Sequence, residues 1–269
     1  MISSNGLGAP SSGVTLTYVG GSTVLIDCGG IRMLTDPTFD PAGSEFSPTA
    51  EYTLSKTLSP AVDVDSLGKI DVILLSHAHH YDNLDSTGRA LLASVPVVLT
   101  TEAGAAQCGP NGIGLRPWHT FDTKAPDGRT LRIIATPARH GPPGGDRGPV
   151  IGFVLAFSDS ADCAVYISGD TVWYEGVRQV STRFRVKLAI MFFGAAKVSV
   201  AGPSHLTMTA DEGVIAAQHF EEALIVPLHF EGWMHFTESR DDIDRAFKAT
   251  QLHHRLRWLK PGVETMIPL

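Results

Sequence analysis

The sequence predicts an α/β fold of two sheets packed face to face with helices outside, and three observations carry that expectation. The first third is strand-rich, with short β-leaning runs at residues 14–19, 22–27 and 31–36. The pairs Gly20-Gly21 and Gly29-Gly30 separate those runs, and glycines supply the positive φ that tight hairpin turns need. Beyond residue 70, apolar strand-like runs alternate with amphipathic helical patterns. Strands first, then alternating helices and strands, suit packed sheets under a helical coat.

The elements follow in order. Residues 37–60 are rich in Pro, Ser and Thr with few apolar side chains, which predicts a long loop, and a loop of that length in a compact chain is usually functional. Residues 71–76 (DVILLS) form an apolar run that ends abruptly in polar residues, as a buried strand feeding a site would. A helix is expected to start near Asp82 and run through Leu92, before a strand at 97–100. Further strands are expected at 131–136, 150–157, 163–168, 188–193 and 224–227. Helices are expected at 209–220 and 239–250, the first opening on a threonine with acidic residues in its first turn.

Composition narrows the function. The chain has 269 residues, 43% hydrophobic and 18% charged, enough apolar material to bury a sizeable core. Its formal net charge of -7 argues against a phosphate-backbone binder, so no nucleic-acid partner is expected. The short basic clusters at 183–187 and 255–260 read as solvated edges. Cys28, Cys108 and Cys163 lie far apart with no Cys-x-x-Cys, which fits reduced cytoplasmic thiols rather than a disulfide framework or a zinc-thiolate knuckle. Residues 1–12 lack the basic start and apolar stretch of a secretory signal, and no apolar run reaches the roughly 18 residues of a membrane span.

Eleven histidines are present, and their placement carries the chemistry. His77, His79, His80, Asp82, Asn83 and Asp85 follow directly on the DVILLS strand. Imidazoles and a carboxylate at such a junction can converge on one ion, and this donor set suits Zn²⁺, Mn²⁺ or Fe²⁺. Asp82 alone could instead cap the following helix, with Asp85 completing a capping-box-like pair. Three histidines in four residues have no capping use. His140 lies just past the 131–136 run, Asp170 past the 163–168 run, and His229 past the 224–227 run. Each alone reads as an ordinary polar residue at a strand end. Four strand ends that each deliver a ligand-type side chain read as a site assembled at one rim.

The order of a His-rich cluster, then His140, then Ser168-Gly169-Asp170-Thr171, then His229 resembles the metallo-β-lactamase superfamily. Within it the chain looks most like the branch of ascorbate-6-phosphate lactonase and N-acyl phosphatidylethanolamine phospholipase D. Leu34-Thr35-Asp36-Pro37, His205-Leu206-Thr207-Met208-Thr209, Val226-Pro227-Leu228-His229 and Gly232-Trp233 support that likeness over nearly the whole chain. The resemblance implies one αββα sandwich domain with two mixed sheets over residues 1–269. It implies a metal-dependent hydrolase holding one or two divalent ions, zinc or manganese first and iron as a further choice. The family's usual run is His-x-His-x-Asp-His, which this chain fits only with a one-residue bulge. His77, with His80 or His79, then joins His140 at one metal. Asp82, a bridging Asp170 and His229 serve the other, with Asn83 where a histidine is usual.

The family chemistry implies a water between the metals, its pKa lowered to about 7, that attacks a lactone, ester, amide or phosphodiester of a small molecule. Asp82 would orient that water, and His205 would bind substrate or protonate the leaving group at the rim. Residues 37–60 and 141–149 are the expected lids. Three rivals stand beside this reading: an amidohydrolase-type barrel, a di-iron oxidoreductase on the same sandwich, and a non-catalytic binding module. The early hairpins weigh against the barrel, which needs a helix after nearly every strand. The oxidoreductase role resembles fusions with a flavin-carrying domain, and Asn83 keeps the binding module in play. The sequence is compatible with a homo-oligomer.

Overall fold

The computed structural model describes residues 13–144, 147–159 and 164–269. Residues 1–12 and Cys163 lie outside them, as does part of the 141–149 stretch. The chain opens with β1 (Gly13–Gly20), β2 (Thr23–Cys28), β3 (Ile31–Thr35), the hairpin β4 (Glu45–Thr49) and β5 (Tyr52–Ser55), and β6 (Val72–Leu74). Next come α1 (Ser86–Leu91), β7 (Val97–Thr101), α2 (Glu102–Ala105), β8 (Gly112–Leu115), β9 (Thr120–Lys124), β10 (Thr130–Pro137) and β11 (Ile151–Phe157). The last elements are β12 (Ala164–Ile167), α3 (Glu175–Arg183), β13 (Val186–Phe192), α4 (Ala210–His219), β14 (Leu224–Leu228), α5 (Arg240–Ala249) and β15 (Glu264–Pro268).

Two mixed sheets result. One has seven strands in the order β15-β1-β2-β3-β6-β7-β8, and the other has six in the order β14-β13-β12-β11-β10-β9. Strands β3, β6, β7 and β8 run parallel, as do β12, β13 and β14. The other pairings within these two sheets are antiparallel.

Period-two alternation builds the layers, because successive strand side chains point to opposite faces. Val24 and Ile26 of β2, Val72 and Leu74 of β6, and Leu188, Ile190 and Phe192 of β13 point into the core between the sheets. The intervening Ala189 and Met191 face outward and pack with Val177, Val180, Val214, Ala217, Ile243 and Phe247 of α3, α4 and α5. On the other flank Leu25, Leu34, Ile73 and Val98 pack with Leu84 and Leu92. These central strands are buried on both faces, so a Leu-sized side chain here contributes about 1.5–3 kcal/mol whichever way it points. The αββα sandwich expected from the sequence is the fold observed.

Three local expectations need correction. The helix placed at Asp82 starts at Ser86, and its cap is Asp85, whose carboxylate accepts from Gly88 N at 2.8 Å. Residues 80–84 instead wind one turn, with the amides of Asn83 and Leu84 both directed at the His80 carbonyl. The 37–60 stretch is not a plain loop, since it contains the β4–β5 hairpin. Sparse apolar residues hid it, because one edge of that small sheet is exposed. Strands β8, β9 and β15 and helices α2 and α3 were not expected. The helices at 209–220 and 239–250 are present, and both Thr209 and Ser239 close full capping boxes.

The basic cluster at 255–260 is only in part a solvated edge. Arg255 is 9% exposed and has no carboxylate partner among the described residues. Its guanidinium donates to the carbonyls of Ala217 (2.6 Å), Ala223 (2.8 and 2.6 Å) and Phe220 at and beyond the C-terminal end of α4. Helix C-termini carry unsatisfied carbonyls and partial negative charge, and a buried cation there answers both. Arg255→Ala should therefore lower stability by about 3 kcal/mol, read from the urea midpoint, because several carbonyls lose a charged donor at once. Arg255→Lys should recover less than half of that, since one ammonium cannot reproduce the fork. A fully stable Arg255→Ala would refute this role.

Candidate metal centre

Strand direction puts the chemistry at one rim. β10 and β12 are both antiparallel to β11, and β12, β13 and β14 are parallel, so β10, β12 and β14 run the same way. Their C-terminal ends deliver His140, Asp170 and His229. In the other sheet, the parallel β3 and β6 end at Asp36 and Ser76-His77. Backbone bonds join the two rims: Ile151 N to Ser76 O at 3.1 Å and His229 N to Gly21 O at 2.9 Å. Gly169 holds φ at +59°, and a Cβ there would lie 2.7 Å from Ile151 O and 2.9 Å from Ser76 Cβ. Only glycine lets the end of β12 approach Ser76 this closely.

Two groups of donors converge. One ligand-type atom each from His77, His140 and Asp170 lie within 4.8 Å of one another, and so do those of Asp82, Asp170 and His229. Asp170 belongs to both groups. Its carboxylate lies 3.5 Å from His140 Nε2 through Oδ2 and 3.6 Å from His229 Nε2 through Oδ1. Asp82 Oδ2 is 3.4 Å from His229 Nε2. All five residues are buried.

The two candidate histidines of the cluster differ in orientation. His80 Nδ1 lies 2.9 Å from His77 Nε2 and 3.1 Å from His140 Nε2. His79 is exposed and its Nε2 donates outward to the Arg147 carbonyl at 2.7 Å. His79 Nδ1 remains as a donor atom, and His77, His79 and His80 also form a compact group.

Neighbouring hydrogen bonds fix which ring nitrogens carry lone pairs. Ser76 donates to Asp36 Oδ1 through both N and Oγ at 2.8 Å, so Ser76 Oγ accepts from His77 Nδ1, also at 2.8 Å. His140 Nδ1 donates to the Leu206 carbonyl at 2.9 Å. Both Nε2 atoms therefore point lone pairs at His80 Nδ1, which can donate a proton to only one of them. Asp170 Oδ2, Asn83 Oδ1 and both nitrogens of His229 are buried without a hydrogen-bond partner among the described residues. The two oxygens are orphaned acceptors, and buried polar atoms left without partners are costly unless something of opposite character meets them. The donor chemistry fits one or two divalent cations.

Electrostatics agrees. Burial pushes the His77 imidazole well below its usual range, with His80 and His140 adding to the effect, and burial does the same for His80. Both rings stay neutral, as ligands must. Burial raises the Asp82 carboxyl, but His229 and His235 outweigh it and hold the group well below the carboxylate range. Burial also pushes Asp36 well above that range, only partly countered by Ser76.

Asn83 donates through Nδ2 to Asp170 Oδ1 at 3.3 Å, so it sits beside the shared carboxylate. His205 is not brought to the cluster: its Nε2 pairs with Glu212 Oε2 at 3.1 Å. The histidine that does face Asp82 is His235, whose Nε2 donates to Asp82 Oδ2 at 3.0 Å. The sequence reading missed it, although it stands two residues beyond Trp233 in a segment already marked by Gly232-Trp233. With His80, Asp82 and His140, the cleft is lined by Tyr52, Leu54, Arg147, Val198, Leu206 and His235. The β4–β5 hairpin lies over it. Phe46 stacks on Tyr81 with centroids 4.6 Å apart and also meets Trp233, while buried Lys56 pairs with Asp85 at 3.0 Å.

One pH dependence follows for the metal-free chain. Burial pushes His229 down, but Asp170 and Asp82 reverse this and raise its pKa from 6.5 to about 9. Because the folded value is the higher, the stabilisation is complete below about pH 6.5 and is lost as pH rises through about 9. The thermal midpoint in chelator should fall across that window. His229→Asn, which tolerates the left-handed backbone at φ 59°, should flatten the slope. A wild-type midpoint that holds or rises there would refute the ion-pair reading.

Comparison with known proteins places this geometry. The model of the beta-lactamase superfamily domain matches residues 31–230. A UPF0173 metal-dependent hydrolase of Natranaerobius thermophilus is 29% identical over 219 residues, covering 81% of this chain and 84% of its own length. Among solved structures, an isothiocyanate hydrolase from Delia radicum gut bacteria superposes with a TM-score of 0.76 at 22% identity, covering 94% of this chain and 99% of that one. A metallo hydrolase from Ignicoccus hospitalis superposes with a TM-score of 0.69 at 21% identity over 96% and 99% of the two chains. At those identities the superpositions speak for the fold, and the family match covers most of the sequence. The chain belongs to the beta-lactamase superfamily.

Proposed function

We propose that this protein is a metal-dependent hydrolase of a small molecule carrying a lactone, ester, amide or phosphodiester bond. His77, His80 and His140 would hold one ion, and Asp82, Asp170 and His229 a second, with Asp170 shared. The observation that carries this reading is the convergence of buried, unpartnered polar atoms of Asp170, Asn83 and His229 at the shared rim of both sheets. A divalent ion bound there, zinc or manganese, supplies Lewis acidity and makes water a competent nucleophile at neutral pH.

The chain's own residues do the rest. Asp36 and Ser76 hold the His77 ring in one orientation, and the Leu206 carbonyl does so for His140. Asp82 accepts at Oδ2 from His235, which fixes its carboxylate to hold the second ion and orient the attacking water. We give the substrate-binding rim role expected of His205 to His235, which lines the cleft. Leu54, Val198 and Leu206 limit bulk water around the reacting bond. Asn83 offers an amide oxygen in place of an imidazole, so the second position should be the weaker one and prefer a harder ion. The acidic balance of the chain favours a small substrate over a nucleic acid. We place the protein in the cytoplasm, a reading supported by the buried Cys108 thiol. Among the described residues no helix is long and apolar enough to cross a membrane.

Protein purified without added metal should hold fewer than two zinc ions per chain by elemental analysis. On a panel of chromogenic lactones, esters and phosphodiesters, chelation should abolish turnover and added zinc or manganese should restore it. Asp82→Asn and Asp170→Asn should each cost at least about a hundredfold in kcat/KM, about 2.7 kcal/mol. Helix content at α1 should survive in Asp82→Asn, because the cap there is Asp85. A metal-loaded wild type inert on the entire panel would favour a non-catalytic binding module instead.

A further inference from the structure

Arg147 stands in the cleft with no carboxylate paired to it among the described residues. It is half-buried and lines the cleft beside His80, Asp82 and His140. Its backbone is pinned on both sides, with N donating to the His140 carbonyl at 2.8 Å and O accepting from His79 Nε2 at 2.7 Å. Its Nη2 donates to Tyr52 Oη at 3.0 Å. Among the described residues no carboxylate lies within ion-pair distance of it, and it is the arginine that lines the cleft. A neutral phenol orients the guanidinium without cancelling its charge, and among the described residues this is the one hydrogen bond that engages the fork.

We propose that Arg147 anchors the substrate by an oxyanion group, a carboxylate or a phosphate, so that the molecules hydrolysed at this centre carry a negative charge. The proposal rests on the hydrolase reading above and narrows its substrate class. A guanidinium matches a two-oxygen anion with parallel hydrogen bonds, and such charge-assisted pairs are among the stronger ones. The apolar wall of Leu54, Val198 and Leu206 strengthens the pair by lowering the local dielectric. Since Arg147 and the His80–Asp82–His140 group line the same cleft, one small molecule can meet both. The pinned backbone means that little ordering is needed when the anion arrives.

The test compares matched chromogenic esters that are neutral, carboxylate-bearing or phosphate-bearing, on the metal-loaded full chain. The wild type should prefer at least one charged ester. The ratio of kcat/KM for that ester over the neutral one should fall about 10- to 100-fold in Arg147→Ala, mostly through KM, and recover in part in Arg147→Lys. Tyr52→Phe should give an intermediate loss by freeing the fork. Calorimetric titration with inorganic phosphate and with acetate supplies a readout independent of turnover. At least one anion should bind the wild type about tenfold or more tightly than Arg147→Ala, and the stronger of the two identifies the group recognised. A parallel loss on charged and neutral esters, or equal anion binding in wild type and Arg147→Ala, overturns the proposal and leaves Arg147 as a latch for the hairpin. If the wild type is inert on these esters and on the entire panel above, the hydrolase reading fails while the calorimetry still decides the fate of Arg147. Arg147→Lys and Tyr52→Phe keep the test decisive if Arg147→Ala does not fold.

Discussion

Desolvated charge at the rim is the constraint on which the rest of the structure depends. Asp82, Asp170 and Asp36 are almost completely buried within one small region, and ionising a buried carboxyl costs several kcal/mol unless it is met by hydrogen bonds or opposite charge. Each is met differently. Asp36 accepts twice from Ser76, Asp82 accepts from His235, and Asp170 accepts from Asn83 with one oxygen left orphaned. The sandwich core supplies the rigidity that keeps these groups together, since strands buried on both faces leave few ways to relax. His229 adds strain by adopting a left-handed backbone, uncommon for a residue other than glycine. A fold that tolerates so much unrelieved polarity at one edge is shaped for something that binds there.

The layered fold was legible because its strands are apolar and its early turns carry glycine pairs. The strand ends were legible for the same reason: an apolar run that stops at His, Asp or Gly-Asp announces a buried strand opening on polar business. Asp82 shows the limit. One turn of backbone around His80, rather than a helix, decides where its carboxylate points, and local pattern gives the same letters either meaning. The choice between His79 and His80 likewise turns on which ring faces His77 and His140, a matter of three-dimensional winding. His235 was missed because it ends no strand and its role lies in a contact 153 positions away in sequence. The β4–β5 hairpin escaped because its stability comes from Tyr81, Trp233 and Asp85, none of which lies inside it.

Asp85 links several of these features. The same carboxylate caps α1 through Gly88 N, accepts from Asp40 N at 2.6 Å and pairs with Lys56 at the foot of the hairpin. Asp40 in turn accepts from the amides of Ser86 and Thr87 at the start of α1. The turn that carries His77 to Asp82 is therefore bounded by a strand on one side and by a doubly capped helix on the other. That accounts for how a segment with little regular structure can hold several polar side chains in fixed register.

The hairpin itself is held unequally along its length. Its foot, at Lys56, is buried, ion-paired, bridged to Trp233 and bonded to Gly43 and Ser44. Its tip, at Tyr52, rests on Arg147 by one side-chain hydrogen bond and a loose ring contact at 5.9 Å. Mechanically this is a cantilever, clamped at one end and propped at the other. A load on such a beam is carried at the clamp, so the Lys56 side is the wall of the cleft and the Tyr52 side its more yielding edge.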